Sequence, residues 1–406
     1  MPMKRTMMTA LAAASLALVG GLALAAGQYG PGASDSEIKI GNTMPYSGPA
    51  SAYGIIGKTE AAYFDMINQQ GGINGRKINF ISRDDGYSPP KTVEQVRQLV
   101  EQDQVLFLFC TLGTPPNMAI RGYLNDNKVP QLFVTSGADQ FADPAHYPWT
   151  MGWFPTYGIE AHIFANYILK NLPDAKIAVL YQNDDFGKDY LNGLRAGLGD
   201  KADKMIVAAK SYETTDPTVE SQVVALQGSG ANVLLTAATP KFAAQAIRKA
   251  YDIGWKPTHF LSSVSNSVGT VMKPAGLEKG VGIISATYYK DPTDPQWKDT
   301  AEYKDWLAFM NNHGLSGSIT DSQAVVAYGY AQTMVDVLKM AGNNLTRDNI
   351  MKQATSLHDV KVPMLLPGIT LNTSADNYQP MKQMQLEKFD GTTWKLFGQM
   401  ISASGS

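Results

Sequence analysis

Short apolar runs alternate along this chain with longer stretches whose apolar residues recur every three or four positions. "EIKIG" (37–41) reads as a strand, and "ASAYGIIGKTEAAYFDMINQQ" (50–70) as a helix stopped by Gly71 and Gly72. "KINFISRDD" (77–85) is again strand-like, and "SPPKTVEQVRQLVEQ" (88–102) opens with Ser and Pro, residues that start helices. The run "VLFLF", a helix reaching Asn127 and the run "PQLFV" complete a first unit. After "MGWFPTYGIE" the grammar restarts with a helix over 158–171, the strand "KIAVLY" (176–181) and a helix after Gly187. Strands over 205–213, 232–238 and 258–263 follow, separated by helices around 219–228 and 240–253. From 284 the chain reads as a loop between units, leading to helices at 297–313, 321–341 and 346–355. The tail "KQMQLEKFDGTTWKLFGQM" reads as a hairpin turning at Asp390 and Gly391. Such alternation predicts an α/β fold of two lobes, each a parallel sheet with helices on both faces. The lobes share an architecture but no residue-level repeat.

Two strand ends stand out chemically. "FLFCTLGTPPNMAI" (107–120) passes from an apolar run to a helix through Gly113 and Thr114, and "PQLFVTSGADQF" (130–141) stops at Thr135, Ser136 and Gly137. Open parallel sheets bind ligands beyond the carboxyl ends of their strands, where helix N-termini present N–H groups. Neither stretch carries GxxxxGK[ST] or GxGxxG, which argues against a nucleotide phosphate. A small carboxylate suits two hydroxyls and a few backbone N–H groups, at roughly 1.5–3 kcal/mol for each bond to a charged group. Taken singly, each hydroxyl is equally a helix cap.

Composition narrows the function classes. With 406 residues, 44% of them hydrophobic, the chain can bury a large core, and its net charge of -2 offers no footprint for nucleic acid. Lys4 and Arg5, the apolar run "MMTALAAASLALVGGLALAA" and the small-x-small site Ala23-Leu24-Ala25 predict a leader over 1–26. Cleavage is expected near Ala25 or Ala26, with the mature protein in the periplasm. Cys110 is the one cysteine, so no internal disulfide is expected, and its place in "VLFLFC" suits a small buried hydrophobe. The five His show no metal-ligand spacing, and neither a metal nor a cofactor is implied. Asp84-Asp85 and Asp184-Asp185 read as turn or capping pairs. GxSxG is absent and no Ser-His-Asp set suggests itself, so the chain is not expected to be an enzyme.

"EIKIGNTMPYSGPASAYG", "INQQGGINGRKINFISRDDGYSPPKTVEQVRQLV", "KVPQLFVTSGA" and "KIAVLYQNDDFGKDYLNGL" together resemble the type I periplasmic solute-binding proteins of ABC importers, in the branch that binds branched-chain amino acids. The resemblance runs in order over nearly the whole chain after the leader. It implies two Rossmann-like lobes joined by three crossing segments, closing around a small ligand without altering it. Lobe 1 is expected over 36–154 and 288–365, and lobe 2 over 155–287 and 366–403. The implied partners are the small-molecule ligand and a complex of permease and ATPase, with the protein acting as a monomer. A sensing module of the same fold, docking to a receptor or regulator, is the alternative, with a hydrolase on an α/β scaffold behind it.

Carried over residue by residue, Thr114 falls where the family places a hydroxyl on the ligand carboxylate. Ser136, Gly137 and Ala138 fall in the strand-end segment that serves the same carboxylate. Tyr53 matches an aromatic covering the ligand from the first helix, and Phe186 matches the aromatic of the second lobe. Thr239 stands where amino-acid binders often place a Tyr, and Asp139 near a Thr that bridges ammonium and carboxylate. Tyr46, Trp153 and Tyr157 fall on segments expected to face the cleft, which gives it aromatic walls suited to an aromatic acid. Val264 occupies the position of the family's ammonium-binding acid, and no acid lies between Leu261 and Lys273. An unpartnered buried ammonium would cost several kcal/mol, so a free amino acid is not the expected ligand. Tyr87 and Gly113 occupy the positions of a disulfide found in relatives.

Intact-mass measurement of the exported protein is expected to show the leader missing; a mature chain still starting at Met1 would contradict this.

Overall fold

A computed structural model describes residues 27–402. The expected leader and its cleavage site lie outside the described residues. Two sheets organise the chain. The first contains β1 (Glu37–Met44), β2 (Lys77–Asp84), β3 (Phe107–Phe109), β4 (Gln131–Val134) and β5 (Thr150–Gly152). All run parallel, in the order β2-β1-β3-β4-β5. Between them run α1 (Gly54–Gln69), α2 (Pro89–Arg97) and α3 (Thr114–Asp126). Every residue of β4 is buried, as a strand covered on both faces requires.

The second sheet contains β6 (Ile177–Gln182), β7 (Ile206–Tyr212), β8 (Val233–Ala237), β9 (Thr258–Leu261), β10 (Ile284–Thr287), β11 (Gln383–Phe389) and β12 (Trp394–Leu396). Their order is β12-β11-β10-β9-β8-β6-β7, with β6 to β10 parallel and the hairpin β11–β12 antiparallel. The helices α4 (Tyr157–Asn171), α5 (Asp185–Leu198), α6 (Glu220–Gln227) and α7 (Pro240–Asp252) belong to this lobe. The helices α8 (Ala301–Asn312), α9 (Ser322–Ala341) and α10 (Arg347–Ala354) follow β10, and α9 packs on α1 of the first lobe. The chain therefore crosses between the lobes three times: after β5, after β10 and before β11. The last passage leaves the first lobe late, since Leu371 bridges Val360 and the Tyr378 hydroxyl donates to the Pro148 carbonyl at 2.9 Å.

Several elements differ from the sequence reading. Ile284–Thr287, expected as a loop, is a buried strand that carries the tail hairpin on its far edge. Its four residues are too few to show a period, and the polar stretch after it masks its end. Helix α5 starts at Asp185, two residues before Gly187, because the Asp184 side chain caps it by accepting from the Gly187 N–H at 3.3 Å. Thr150–Gly152, running into the "MGWFP" stretch, is a strand, and α8 begins only at Ala301, capped by Thr300.

The first crossing is held by Trp153. It is wholly buried, its ring stacks on Tyr330 of α9 at 4.4 Å, and its Nε1–H donates to the Thr333 hydroxyl at 3.1 Å. Trp153→Ala should therefore lower stability by about 3–5 kcal/mol in denaturant unfolding. A loss below about 1 kcal/mol would show that this contact does not hold the crossing.

Candidate functional site

Strand order reverses once in each sheet. In the first lobe α1 leads outward from β1 to β2 and α2 leads back to β3, so the ends of β1 and β3 part. In the second lobe the same reversal separates the ends of β6 and β8. The two divides face each other across a cavity of about 530 Å³, part of it open to solvent. Thr114 and Gly113 follow β3, Tyr53 follows β1, Phe186 follows β6 and Thr239 follows β8, and all five line the cavity.

The first-lobe wall carries a hydroxyl pair. Thr114 Oγ1 and Ser136 Oγ lie 2.7 Å apart, both buried, and the Ala138 N–H donates to Ser136 Oγ at 3.2 Å. The two hydroxyls share one proton in either direction, and the Tyr157 phenol lies close to both. The backbone contributes less than the sequence suggested. Thr114 is the first residue of α3, but Pro115 and Pro116 have no N–H, and the Asn117 N–H is bonded to the Gly113 carbonyl. Gly113 has φ 99, and a Cβ there would stand 2.5 Å from the Tyr87 ring. Only glycine lets that ring reach the wall.

Aromatic side chains make most of the remaining surface. Tyr157 packs against Phe186 edge-on at 4.9 Å and stacks on Tyr190 at 5.1 Å, while Phe154 stacks on Tyr288 at 6.0 Å. Burial pushes the Tyr157 phenol up to about 12 against the Gly137 backbone and the Ser136 and Thr114 hydroxyls, so it remains protonated. Gly137 fits this wall by lacking a side chain, since a Cβ would meet the Tyr157 and Phe154 rings at 2.8 and 2.9 Å. Among the lining residues there is no Lys or Arg.

The expected residues divide clearly. Tyr53, Thr114, Tyr157, Phe186, Thr239 and Val264 line the cavity. Ser136, Gly137 and Ala138 line a smaller hollow of about 200 Å³ that shares Phe154 with it. Trp153 does not face the cavity; its neighbour Phe154 does, because successive residues of an extended segment point to opposite sides. Tyr46 lies outside the wall, bonded to Ser82 at 2.6 Å and packed over Gly54 and Gly57 of α1. Asp139 is exposed, its N–H bonded to Asp189 at 3.1 Å and its carboxylate over Gly158 at the start of α4.

Sequence reasoning missed Tyr288, Tyr289, Gln323 and Val326, which reach the cavity from the second crossing and α9. The aromatic pair Tyr288-Tyr289 was the available signal, hidden by reading the preceding strand as a loop. It also missed an acid. The wall around Val264 contains no carboxylate of its own, yet Glu160 of α4 stands behind it. Glu160 Oε1 accepts from the Ser263 N–H at 2.8 Å, and Oε2 accepts from the Ser263 hydroxyl at 2.6 Å and the Tyr190 hydroxyl at 2.7 Å. Burial raises Glu160 to about 7 against these three bonds. Tyr190 faces it from α5, Tyr288 from the second crossing, and Glu387 from β11.

The lobes touch around the cavity. The Tyr53 hydroxyl donates to the Val264 carbonyl at 3.0 Å, and Gln182 Nε2 donates to the Tyr87 hydroxyl at 3.3 Å. At the rim, Asp139 and Gln140 of the first lobe bond Asp189 and Asp185 of α5, each at 3.1 Å. Burial, with Asp139, Asp185 and Asp184 adding repulsion, lifts Asp189 from 3.8 to about 7. An acid raised in the folded state binds its proton more tightly there than in the unfolded chain. Stability is then lost as pH rises from about 4 through 7. The thermal midpoint should fall over that range and fall less in Asp189→Asn, which keeps the acceptor for Asp139. Equal slopes in the two proteins would contradict this.

The fold and cavity allow comparison with known proteins. A family model described as periplasmic binding protein matches residues 37–392. Leu/Ile/Val-binding protein homolog 3 of Brucella melitensis is 28% identical over 223 residues, spanning 54% of this chain and 59% of that relative. A branched chain amino acid ABC transporter structure from Thermus thermophilus with bound valine superposes with a TM-score of 0.81 at 14% identity, covering 92% of this chain and 98% of that one. A solute binding protein of an ABC transporter from R. palustris, in complex with 4-hydroxybenzoate, gives 0.76 at 16% identity, covering 90% and 97%. These two structures establish the fold alone. With a family match running from the first strand of one lobe into the closing hairpin of the other, the chain belongs to the periplasmic binding protein family.

Proposed function

We propose that the chain is the solute-binding component of an ABC importer and that its solute is a small organic carboxylate with an aromatic body. The observation that carries this reading is the Thr114 hydroxyl, backed by Ser136 at 2.7 Å, on the wall of a ring-lined cavity between the lobes. A bond from the Thr114 hydroxyl to a carboxylate contributes roughly 1.5–3 kcal/mol, and contact of an aromatic body with the ring walls supplies the larger share of the binding without a cation. Tyr157, Phe186, Phe154 and Tyr288 offer flat surfaces to a ring. Valine and 4-hydroxybenzoate occupy two neighbours of this fold, so the fold does not choose between them and the walls must. Here the acid near Val264 does not line the cavity, and both its oxygens are occupied. An amino-acid ammonium would therefore have no carboxylate to pair with, which favours the simple acid. The protein acts as a monomer in the periplasm, closing on its solute and presenting it to the permease and ATPase complex.

Calorimetry with aromatic carboxylates tests the site. Thr114→Val should weaken binding of the acid by roughly 1.5–3 kcal/mol, about ten- to a hundred-and-fifty-fold, and the methyl ester should lose a comparable amount. Equal binding of acid and ester, or an unchanged Thr114→Val, sinks the assignment. Closure is tested separately by small-angle scattering, where saturating ligand should reduce the radius of gyration and an unchanged profile would count against bridging.

A further inference from the structure

Ser263, which follows β9 of the second lobe, lines the cavity that Thr114 lines from the first lobe. Its hydroxyl is already committed. The Ser263 proton goes to Glu160 Oε2 at 2.6 Å, and its own N–H goes to Oε1 at 2.8 Å. A carboxylate accepts and never donates, so the direction of these bonds is fixed when Glu160 is ionised. A serine whose proton is held from behind has only lone pairs left for the cavity. Thr239 is similarly arranged, since its hydroxyl donates to Gln182 Oε1 at 3.4 Å. Val264 adds a carbonyl, which the Tyr53 hydroxyl occupies. No ion pair to Glu160 occurs among the described residues, and its side chain is buried on α4 with Tyr190 as its other partner. Its carboxylate is thus placed to orient one wall hydroxyl.

We propose that Glu160 is a positioning residue that turns Ser263 into a pure hydrogen-bond acceptor, so that the second lobe selects solutes bearing a neutral donor, such as a hydroxyl, at the end away from the carboxylate. The inference rests on the carboxylate reading of the Thr114 wall and adds the opposite end of the solute. Replacing Glu160 with Gln keeps the shape but supplies an NH2 group toward Ser263. The Ser263 proton is then released toward the cavity, and the wall changes from acceptor to donor.

The test uses acids that differ in one group: benzoate, 4-hydroxybenzoate and 4-methoxybenzoate, with cinnamate and its 4-hydroxy and 4-methoxy forms as a longer set. Calorimetry at about pH 8 on the full-length mature protein should give the hydroxy acid an advantage of about three- to tenfold over both others in at least one set. In Glu160→Gln that advantage should shrink to within about twofold, with the methoxy acid gaining on the hydroxy acid. Ser263→Ala should also remove the preference, and combining both changes should alter the ratio no further. Thermal midpoints verify that each variant is folded. If Glu160 only braces Ser263 and Tyr190, all the acids weaken together and the ratio is kept, which overturns the proposal. Binding without a hydroxy preference in the unsubstituted protein overturns it as well, and leaves the carboxylate reading standing. Failure of every acid to bind removes the carboxylate reading and this inference with it.

Discussion

Everything at the site follows from the reversal of strand order in each sheet. Where α1 and α2 leave β1 and β3 in opposite directions, no helix covers the strand ends between them, and backbone and side-chain polar groups are left facing outward. The second lobe repeats this between β6 and β8. Because the chain crosses three times between the lobes, these two uncovered edges are held face to face. A polar edge that meets another across a narrow gap must satisfy its groups internally, through water or through a solute. Thr114 with Ser136, Ser263 with Glu160, and Thr239 with Gln182 are the internal part of that answer.

Aromatic packing makes up much of the rest of the gap's surface. Tyr157, at the start of α4, is stacked on Tyr190 and edge-on to Phe186, so the rings set one another's positions. Tyr190 also donates to Glu160, which links the ring wall to the polar wall. Gly113 and Gly137 allow this crowding, each at a point where a Cβ would strike a ring. Three non-glycine residues with positive φ, Tyr87, Cys110 and Phe133, lie at or just below the same strand ends. Such backbone is tolerated where surrounding packing fixes it, and here it bends the chain out of β3 and β4 toward the cavity. Beneath it, Glu60 is wholly buried beside the Cys110 thiol, and burial raises its carboxyl well above the usual range.

The fold was legible because its signals are periodic and repeated. Parallel strands covered on both faces read as continuous apolar runs, and Gly, Pro and Ser mark the helix starts. Ile284–Thr287 escaped because four residues carry no period and only its partners in the sheet define it. At the cavity, Thr114 could be placed from its strand end, and Thr239 from the family resemblance. Phe154 could not be told from Trp153, because a shift of one residue exchanges the core face for the cavity face. The Glu160–Ser263 bond joins residues 103 apart in sequence, and no local pattern announces it. The prolines at 115 and 116 were visible, but their effect on the N–H supply depended on where α3 begins.

The most direct measurement is a crystal structure of the protein with a bound aromatic acid identified by calorimetry. One carboxylate oxygen should lie within about 2.5–3.0 Å of Thr114 Oγ1, with the ring between Tyr157, Phe186 and Tyr288. A ligand bound elsewhere, or one whose carboxylate points at Ser263 with its apolar end on Thr114, would contradict it.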